Sequence, residues 1–537
     1  MKYLIAIFIL GLPAFAQDGQ LSLGGTVGNS KTGEPVRRAM VTLSRISGDV
    51  SSALKPVVRT AFTDSGGSFR FTGLPTGEYS IVAEKPEFTA DSAPGQPFLT
   101  PFDLSASTEN VNLKLSPLGV ITGAISDQDG LPLPYVSVMA LSAQIQDGLR
   151  QVKSDRTVTT DDRGVYRFWN LTPGRYYVKA AGLAGGASEY VGDTLPLVGD
   201  ENFASVYFGG AHTFDSAVPV VIEPGSEVRA DFAVTVERAY RITGTAEGFV
   251  SRRAVRFELL NGADDVSATR VSINSDTGKF VAGPVVPGSY LLRATQDDSS
   301  AEVPLTVMSA DLDGVAVTLA PPVEIPVVTQ FTNAPDTADS GPMRFAASLC
   351  NPILRRVGTP GVLRNPFPKR PAQPGGAVVI AGVSPGRYSV SVQCFGAYPR
   401  SATSGAQDLG VNPMLTVLPG VTPAPIQIVA TYGGGSIAGK LMPDGASALD
   451  QASVLLIPQF PSPAGPQLAP AFRSPDDPAR LRFQFAALAP GSYTAWAFAT
   501  RDIEFRNPEF LRTLSAGVVV QIDGNDPKEL SIDGVVH

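Results

Sequence analysis

The chain has few of the residues that most catalytic sites need. Among 537 residues it has two histidines, His212 and His537, and two cysteines, Cys350 and Cys394. A zinc site or a serine–histidine–aspartate triad would therefore need nearly every histidine present. Neither cysteine is next to a histidine in sequence, and the glycine-rich fingerprints for phosphates and dinucleotides are missing. We therefore expect no catalytic residue, no metal site and no cofactor, which means a protein that is not an enzyme.

Paired aspartates are the remaining route to catalysis. Two acids can hydrolyse a glycoside when they are held about 5–9 Å apart across a cleft. The pairs in this chain lie in Gly- or Pro-rich turns, where aspartate usually accepts hydrogen bonds from its own backbone. Neighbours in one turn do not create a cleft, and a full calcium loop with its trailing glutamate is missing. The pairs are Asp127 with Asp129, Asp161 with Asp162, Asp264 with Asp265, and Asp476 with Asp477.

Charged residues are also sparse, at 17% of the chain, and the net charge is −8. An acidic chain without a long basic run is a poor partner for nucleic acid or an anionic membrane.

No apolar run is long enough to span a membrane. The short apolar run at 3–12 follows Lys2 and precedes a small-residue pattern that ends at Ala16, which is typical of a signal peptide. We expect cleavage after Ala16 and a secreted, periplasmic or cell-surface protein.

A single phrase recurs along the chain. The segment NLTPGRYYVKA at 170–180 combines a Pro-Gly turn with a tyrosine that opens an alternating strand, and four related segments follow the same plan. Their spacing of roughly 100 residues indicates a string of whole domains rather than a solenoid. The tyrosine ring would be buried at a corner between sheets while its hydroxyl bonds to a nearby backbone group, as in a tyrosine corner. The five tyrosines are Tyr79, Tyr176, Tyr290, Tyr388 and Tyr493.

Short strands with frequent turn signals predict an all-β protein of about five tandem antiparallel Greek-key β-sandwiches after the signal peptide. Linkers between the repeats are nearly absent, which predicts a semi-rigid rod. The predicted division is a signal peptide at 1–16 and sandwiches at 17–117, 118–238, 239–322, 323–432 and 433–537. The second sandwich has an aromatic insertion at 188–217, and the fourth has a proline-rich loop.

The first two repeats carry the most specific motifs. TDSGGSFRF at 63–71 leads to LPTGEY at 74–79, and TDDRGVYRF at 160–168 leads to LTPGRY at 171–176. These segments resemble the carboxypeptidase regulatory-like domain. The third repeat matches moderately, and the last two keep only the ending with its tyrosine. The resemblance implies a transthyretin-like, carbohydrate-binding-like β-sandwich in an exported accessory, surface or sugar-binding protein without catalysis of its own.

The aromatic insertion is the main candidate for ligand binding. It has more aromatic residues than a solvated loop needs, so its rings either pack on neighbouring sandwiches or form a platform for sugars or a partner chain. The candidate residues are Trp169, Tyr190, Phe203, Tyr207, Phe208, His212 and Phe214. Our leading hypothesis is a non-catalytic cell-envelope or extracellular interaction or spacer module. The alternative is a carbohydrate-binding protein, so that the partners would be envelope proteins or a polysaccharide.

The two cysteines could form one disulfide in an exported protein. Cys394 shares a strand face with Tyr388, which we expect to point inward. Cys350 is out of phase with Leu349 and the apolar residues before it. A bridge then requires Cys350 to lie beyond the end of that alternating run, and the sequence leaves both states open.

Overall fold

The computed structural model describes residues 21–46, 58–90, 102–183, 200–261, 271–333, 350–357, 366–369, 378–442, 451–473 and 481–534. It contains 63% strand and 2% helix, which confirms the all-β class. The expected signal peptide at 1–16 lies outside these residues. No helix in the described part of the chain is both long enough and apolar enough to cross a membrane.

The stretch from Leu21 to Pro117 forms two four-stranded sheets. Its strands are β1 (Leu21–Asn29), β2 (Met40–Arg45), β3 (Val58–Phe62), β4 (Ser68–Leu74), β5 (Gly77–Glu84), β6 (Phe88–Ala90), β7 (Phe102–Leu104) and β8 (Thr108–Pro117). The strand orders are β4-β1-β8-β6 and β3-β2-β5-β7. Alternate residues of both sheets, such as Leu43 and Phe71, are buried in one core. The first and last strands, β1 and β8, are parallel neighbours.

The stretch from Gly119 to Arg238 forms three sheets instead of two. Its elements are β9 (Gly119–Ser126), β10 (Val136–Gln146), β11 (Leu149–Thr159), β12 (Val165–Leu171), β13 (Gly174–Leu183), β14 (Glu201–Asn202), β15 (Val206–Tyr207), a 3-10 turn (Phe214–Ser216), β16 (Val220–Ile222), β17 (Glu227–Arg229), β18 (Phe232–Ala233) and β19 (Glu237–Arg238). One sheet has the order β12-β9-β17, with β18 also on β9. A second has the order β11-β10-β13-β15, with β16 on β13, while β14 pairs with β19.

The stretch from Tyr240 to Thr318 repeats the plan of the first. Its strands are β20 (Tyr240–Glu247), β21 (Arg256–Leu260), β22 (Val271–Ile273), β23 (Lys279–Val285), β24 (Gly288–Gln296), β25 (Ser299–Val307) and β26 (Leu312–Thr318). The sheets have the orders β22-β23-β20-β26 and β21-β24-β25, and β20 is parallel to β26. Apolar residues of both sheets, such as Phe280 and Leu292, share one core.

The stretch from Val323 to Tyr432 contains the largest sheet of the described chain. Its strands are β27 (Val323–Thr332), β28 (Cys350–Arg356), β29 (Phe367–Lys369), β30 (Val378–Val383), β31 (Gly386–Cys394), β32 (Ala397–Ser404), β33 (Gln407–Asp408), β34 (Met414–Val417) and β35 (Ile426–Tyr432). The six-stranded sheet has the order β29-β30-β27-β35-β32-β33, and the three-stranded sheet has the order β28-β31-β34. Strands β27 and β35 are parallel.

The stretch from Gly435 to Asp533 has two four-stranded sheets and a short helix. Its elements are β36 (Gly435–Met442), β37 (Ser453–Pro458), β38 (Gln467–Pro470), β39 (Phe472–Arg473), β40 (Leu481–Leu488), β41 (Gly491–Phe498), α1 (Pro508–Thr513), β42 (Val518–Ile522) and β43 (Pro527–Asp533). The sheets have the orders β39-β40-β36-β43 and β38-β37-β41-β42. Strands β36 and β43 are parallel. Asn507 caps α1 by accepting a hydrogen bond from the Glu509 amide.

The chain divides into two compact units. The first contains the described residues up to Gly123 together with Tyr166–Tyr176 and Pro219–Asp231. The second contains Ala124–Val165, Tyr177–Val218 and the described residues from Phe232 onward. The boundaries of the five sandwiches stay a prediction from the sequence.

Candidate functional site

All five recurring tyrosines make the same contact. Each hydroxyl donates a hydrogen bond to the carbonyl oxygen of the residue four positions earlier, at 2.7–2.9 Å. The pairs are Tyr79 with Pro75, Tyr176 with Thr172, Tyr290 with Val286, Tyr388 with Ser384 and Tyr493 with Ala489. Burial raises the pKa of Tyr388 and Tyr493, so both phenols remain neutral donors. These hydroxyls hold turns together and are not placed to act as acids or bases.

A glycine lies two residues before each of these tyrosines. At Gly386 φ is +149°, a backbone conformation that side chains rarely tolerate. A Cβ atom there would also lie 2.6 Å from Nη2 of Arg356. The backbone conformation therefore favours glycine at this position, and a larger residue would also displace the guanidinium of Arg356.

The threonine of the TD motif has a role that the sequence analysis missed. The buried Thr160 hydroxyl donates to the Leu133 carbonyl and accepts from the Val136 amide, both at 2.8 Å. Thr63 makes the matching pair of contacts in the first stretch. A threonine followed by aspartate at the end of a strand is the signal that could have predicted them. These hydroxyls fasten the start of one strand to the end of another.

The candidate catalytic aspartates are engaged in their own turns. Asp161 accepts hydrogen bonds from the amides of Val165 (2.8 Å) and Arg163 (3.0 Å), and the bond from Val165 is the main reason that its pKa is lowered. Asp127 accepts from the amides of Asp129 and Leu131 in the same way. The pairs Asp264–Asp265 and Asp476–Asp477 lie outside the described residues. No group of three or more His, Cys, Asp or Glu side chains in the described ranges is placed to hold a metal ion.

The candidate aromatic residues do not form one exposed platform. Phe203, Tyr207 and Phe214 are buried. Tyr207 and Phe214 belong to a hydrophobic cluster with Met139 and Leu141 of β10, and their ring centroids lie 6.1 Å apart. Rings with buried faces are unavailable for stacking on a sugar. Packing, the other interpretation that the sequence left open, is the one that burial supports for these three.

The other candidates differ in their exposure. Trp169 is 64% exposed because it lies on the outer face of β12, between buried neighbours on the inner face. Phe208 is half-buried against the ring of Phe232, with centroids 6.2 Å apart. His212 is exposed, with Nδ1 3.2 Å from the Ser205 carbonyl oxygen. Tyr190 lies outside the described residues. Trp169 and Phe208 thus keep accessible ring surface.

Cys350 and Cys394 form a disulfide. Cys350 is the first residue of β28, and it lies directly opposite Cys394, the last residue of β31, with their Cα atoms 4.0 Å apart. Within β28, Cys350 shares the buried face with Pro352 and Leu354. The out-of-phase residues that raised doubt about a bridge, including Leu349, lie outside the described part of the chain.

The second compact unit contains a cavity of about 310 Å³ beside this disulfide. Two cations line it, Arg355 of β28 and Arg506 just before α1, together with one carboxylate, Asp147. We refer to it as the arginine cavity. Its wall also includes Gln393, Phe395, Tyr398, Gln467, Tyr493 and Phe505. A mixture of aromatic surface, amides and a few charges is typical of a ligand pocket.

A tight turn between β10 and β11 places Asp147 at the cavity. Asp147 and Gly148 form a two-residue loop with positive φ at both positions (51° and 75°), the usual geometry of an Asp-Gly hairpin. A Cβ atom on Gly148 would lie 2.5 Å from the ring of Phe505. The Gly148 carbonyl accepts a hydrogen bond from the Arg506 amide at 3.0 Å. Glycine thus permits the close approach that brings Asp147 and Arg506 to one cavity.

Arg150, two residues after this turn, forms ion pairs with two carboxylates. Arg150 contacts Asp215 and also Glu504, whose Oε1 lies 2.6 Å from Nη2 of Arg150. Burial alone would lower the pKa of Arg150, but the hydrogen bonds from its guanidinium to Asp215 and Glu504 outweigh burial and raise it. Arg150 and Glu504 are 354 positions apart in the chain. The second compact unit therefore folds back on itself, and the prediction of a rod is wrong for this unit.

Comparison with known proteins agrees with the motifs of the first two repeats. Residues 22–116 and 120–235 match the carboxypeptidase regulatory-like domain, which confirms the resemblance for these segments. Over 306 residues the chain is 24% identical to Colossin-A of Dictyostelium discoideum. That alignment covers 55% of this chain and 3% of Colossin-A, so the chain corresponds to a small part of that protein.

Several solved structures match this chain at low identity. The minor pilin GBS52 of Streptococcus agalactiae is 16% identical, with a TM-score of 0.22, over 40% of this chain and 95% of that one. The shaft pilin SpaA of Lactobacillus rhamnosus GG is 11% identical, with a TM-score of 0.21, over 40% and 98% of the two chains. TM-scores this low mean that the whole chains do not superpose.

Proposed function

We propose that this chain, in which two segments match the carboxypeptidase regulatory-like domain, is a non-catalytic exported protein that serves as an interaction module of the cell envelope or extracellular space. One observation carries the proposal: the polar residues that recur in the repeats are occupied in holding turns. The corner tyrosines donate to backbone carbonyls, and Asp127 and Asp161 accept backbone amides. Residues that recur for structural reasons leave recognition to the non-repeated outer surface.

Exposed aromatic side chains are the strongest candidates for that surface. They include Phe62 (68% exposed), Trp169 (64%), Phe395 (69%) and Phe472 (60%). Aromatic rings give large contact area for little loss of side-chain entropy, so they often anchor protein interfaces. A role as an extended spacer is less well supported, because Arg150 and Glu504 join distant parts of the second unit.

The proposal is tested by following the native protein in its own cell. We expect the mature N-terminus at Gln17 in the envelope fraction or the medium, and photo-crosslinking from position 169 or 395 to capture an envelope component. A matched probe at Lys114, on the outer side of β8, should capture less. Full-length protein that stays in the cytosol with Met1 retained would contradict the proposal.

Carbohydrate binding is the second candidate, and the exposure of Trp169 and Phe208 is the observation in its favour. Flat exposed rings can stack on sugars. We expect Trp169→Ala to abolish binding to a cell-wall polysaccharide if this function is present, whereas Phe62→Ala, at an equally exposed ring, should leave it unchanged. If both variants bound the polysaccharide equally well, the result would count against sugar recognition by Trp169.

We also propose that the chain consists of five sandwiches with the boundaries predicted from the sequence. Separate hydrophobic cores within 21–115, 240–319, 323–432 and 437–532 support this division. Limited proteolysis of the folded protein should release fragments that end near 118, 239, 323 and 433. Cleavage that instead falls within these cores would contradict the boundaries.

A further inference from the structure

The arginine cavity contains positive charge that the described protein leaves only partly compensated. The side chain of Arg355 is 11% exposed, and its Nη1 donates to the Ser391 hydroxyl at 3.0 Å. Its Nε lies 3.8 Å from Oδ2 of Asp147, which is close enough for attraction but too far for a hydrogen bond. The buried Nε atoms of Arg355 and Arg506 both lack a hydrogen-bond partner among the described residues.

Such an arrangement is costly for a folded protein. A guanidinium has five N–H donors, and buried donors without acceptors destabilise the folded state. Burial, together with the nearby charge of Arg355, lowers the pKa of Arg506 to about 10, although Asp147 opposes both effects. Burial likewise lowers the pKa of Arg355. Both side chains nevertheless remain cationic near neutral pH, so the cavity keeps two positive charges against one carboxylate.

We propose that the arginine cavity binds a small ligand through an oxyanion, a carboxylate or a phosphate, held by the guanidinium groups of Arg355 and Arg506. Planar guanidinium groups donate paired hydrogen bonds to such oxygens, and a bound anion would balance the excess positive charge of the cavity. The volume of about 310 Å³ is at the lower end of the range for ligand pockets and suits a molecule of the size of one sugar acid. Gln393 and Tyr398 would contact its uncharged part.

Asp147 limits the affinity of the site for anions. Its side chain is 63% exposed at the cavity, so it attracts Arg355 while the cavity holds no anion and repels an incoming one. Replacing this carboxylate by an amide would remove the repulsion and keep the shape of the turn. Asp147→Asn should therefore tighten anion binding, which is the opposite of the effect expected for a residue that only supports the fold.

The test is isothermal titration of the whole mature protein with glucuronate, with inorganic phosphate and with glucose as a neutral control. We expect glucuronate or phosphate to bind and glucose not to bind; which anion binds distinguishes a carboxylate from a phosphate ligand. Arg506→Met should weaken binding at least tenfold. Arg506→Lys keeps the charge but loses the paired N–H donors of the guanidinium, so it should weaken binding less. Arg512→Met removes the same charge from the exposed end of α1 and should leave binding unchanged.

Thermal unfolding of the same variants separates a binding role from a structural one. Without ligand, Arg506→Met should unfold at the same or a higher temperature than the parent protein, because it removes a buried cation without a full set of partners and keeps a similar apolar stem. Three results would overturn the proposal: no heat with either anion, equal weakening by Arg512→Met, or a lower unfolding temperature for Arg506→Met in the absence of ligand.

Discussion

Two strand pairs of the same design differ in how they are reinforced. In the first compact unit β2 pairs with β5, and in the second β28 pairs with β31. Both pairs place an arginine opposite the corner tyrosine, Arg45 opposite Tyr79 and Arg356 opposite Tyr388. Each arginine donates through Nη2 to the carbonyl before the turn glycine, at 2.9 Å in the first pair and 2.7 Å in the second. The local turn is therefore the same in both.

The surroundings of the two arginines are not the same. Arg45 is half-buried and makes its contact at the turn. Arg356 is 10% exposed, and its Nη2 also lies 2.8 Å from Glu302, which Arg293 contacts as well. The other end of β28 and β31 is closed by the disulfide. One local motif can thus be stabilised by the turn alone or by additional contacts from distant parts of the chain.

The largest expected effect comes from the disulfide, which has no counterpart in β2 and β5. The bridge closes a loop of 44 positions, and loss of it should lower the free energy of unfolding by about 4 kcal/mol in the chain-entropy model. Urea unfolding of the Cys350→Ala, Cys394→Ala variant would measure this loss. The unfolding transition of the second compact unit should move to lower urea concentration, while that of the first compact unit should not. A loss below about 1 kcal/mol would show that the strand pair does not depend on the bridge.

The next effect distinguishes the two arginines directly. Arg356→Met leaves Glu302 with one buried partner instead of two and should cost about 3 kcal/mol, because breaking a buried ion pair leaves a charge uncompensated. Arg45→Met should cost less than about 1 kcal/mol, since it removes one hydrogen bond near the surface. Denaturant titration of both variants makes the comparison. Equal losses would mean that Glu302 contributes little at Arg356.

A smaller difference is expected at the corner tyrosines. Tyr79→Phe should cost about 1 kcal/mol through the lost hydrogen bond to Pro75. Tyr388→Phe should cost about 2 kcal/mol, because its hydroxyl also accepts a hydrogen bond from Arg356 at 3.3 Å. Thermal unfolding of each variant can resolve the difference. An equal or larger loss for Tyr79→Phe would show that the hydrogen bond from Arg356 adds no stability at Tyr388.

The smallest effect concerns an exposed turn with no distant contacts. The backbone amides of Val165 and Arg163 hold the pKa of Asp161 below its ordinary value of 3.8. A carboxyl group with a lowered folded-state pKa stabilises the fold above its unfolded pKa and loses that contribution as the pH falls through the folded value. An NMR titration should show a midpoint below 3.8 that Arg163→Gln raises only slightly. A midpoint at or above 3.8 would contradict the turn contacts.

The sequence predicted the features that depend on neighbouring residues. The strand alternation, the turn glycines and the corner tyrosines each need only a few consecutive residues, so their patterns are visible in segments such as LTPGRY. Patterns within short segments could not place Arg506 beside Arg355, because 151 positions separate the two residues and neither lies in a repeated motif. The aromatic insertion was hard to interpret for the same reason. Which of its rings become buried depends on contacts with distant residues, and local sequence does not reveal those contacts.

In four stretches the first strand lies parallel to the last strand, and this pairing has a mechanical consequence. In β1 with β8, β20 with β26, β27 with β35, and β36 with β43, the strand that enters a stretch lies parallel to the strand that leaves it. The chain therefore enters each pair at one end and leaves at the other. Tension along the backbone loads all the hydrogen bonds between the two strands together, in shear, rather than peeling them apart one by one. We expect each such pair to resist tension that is applied to the two ends of its stretch.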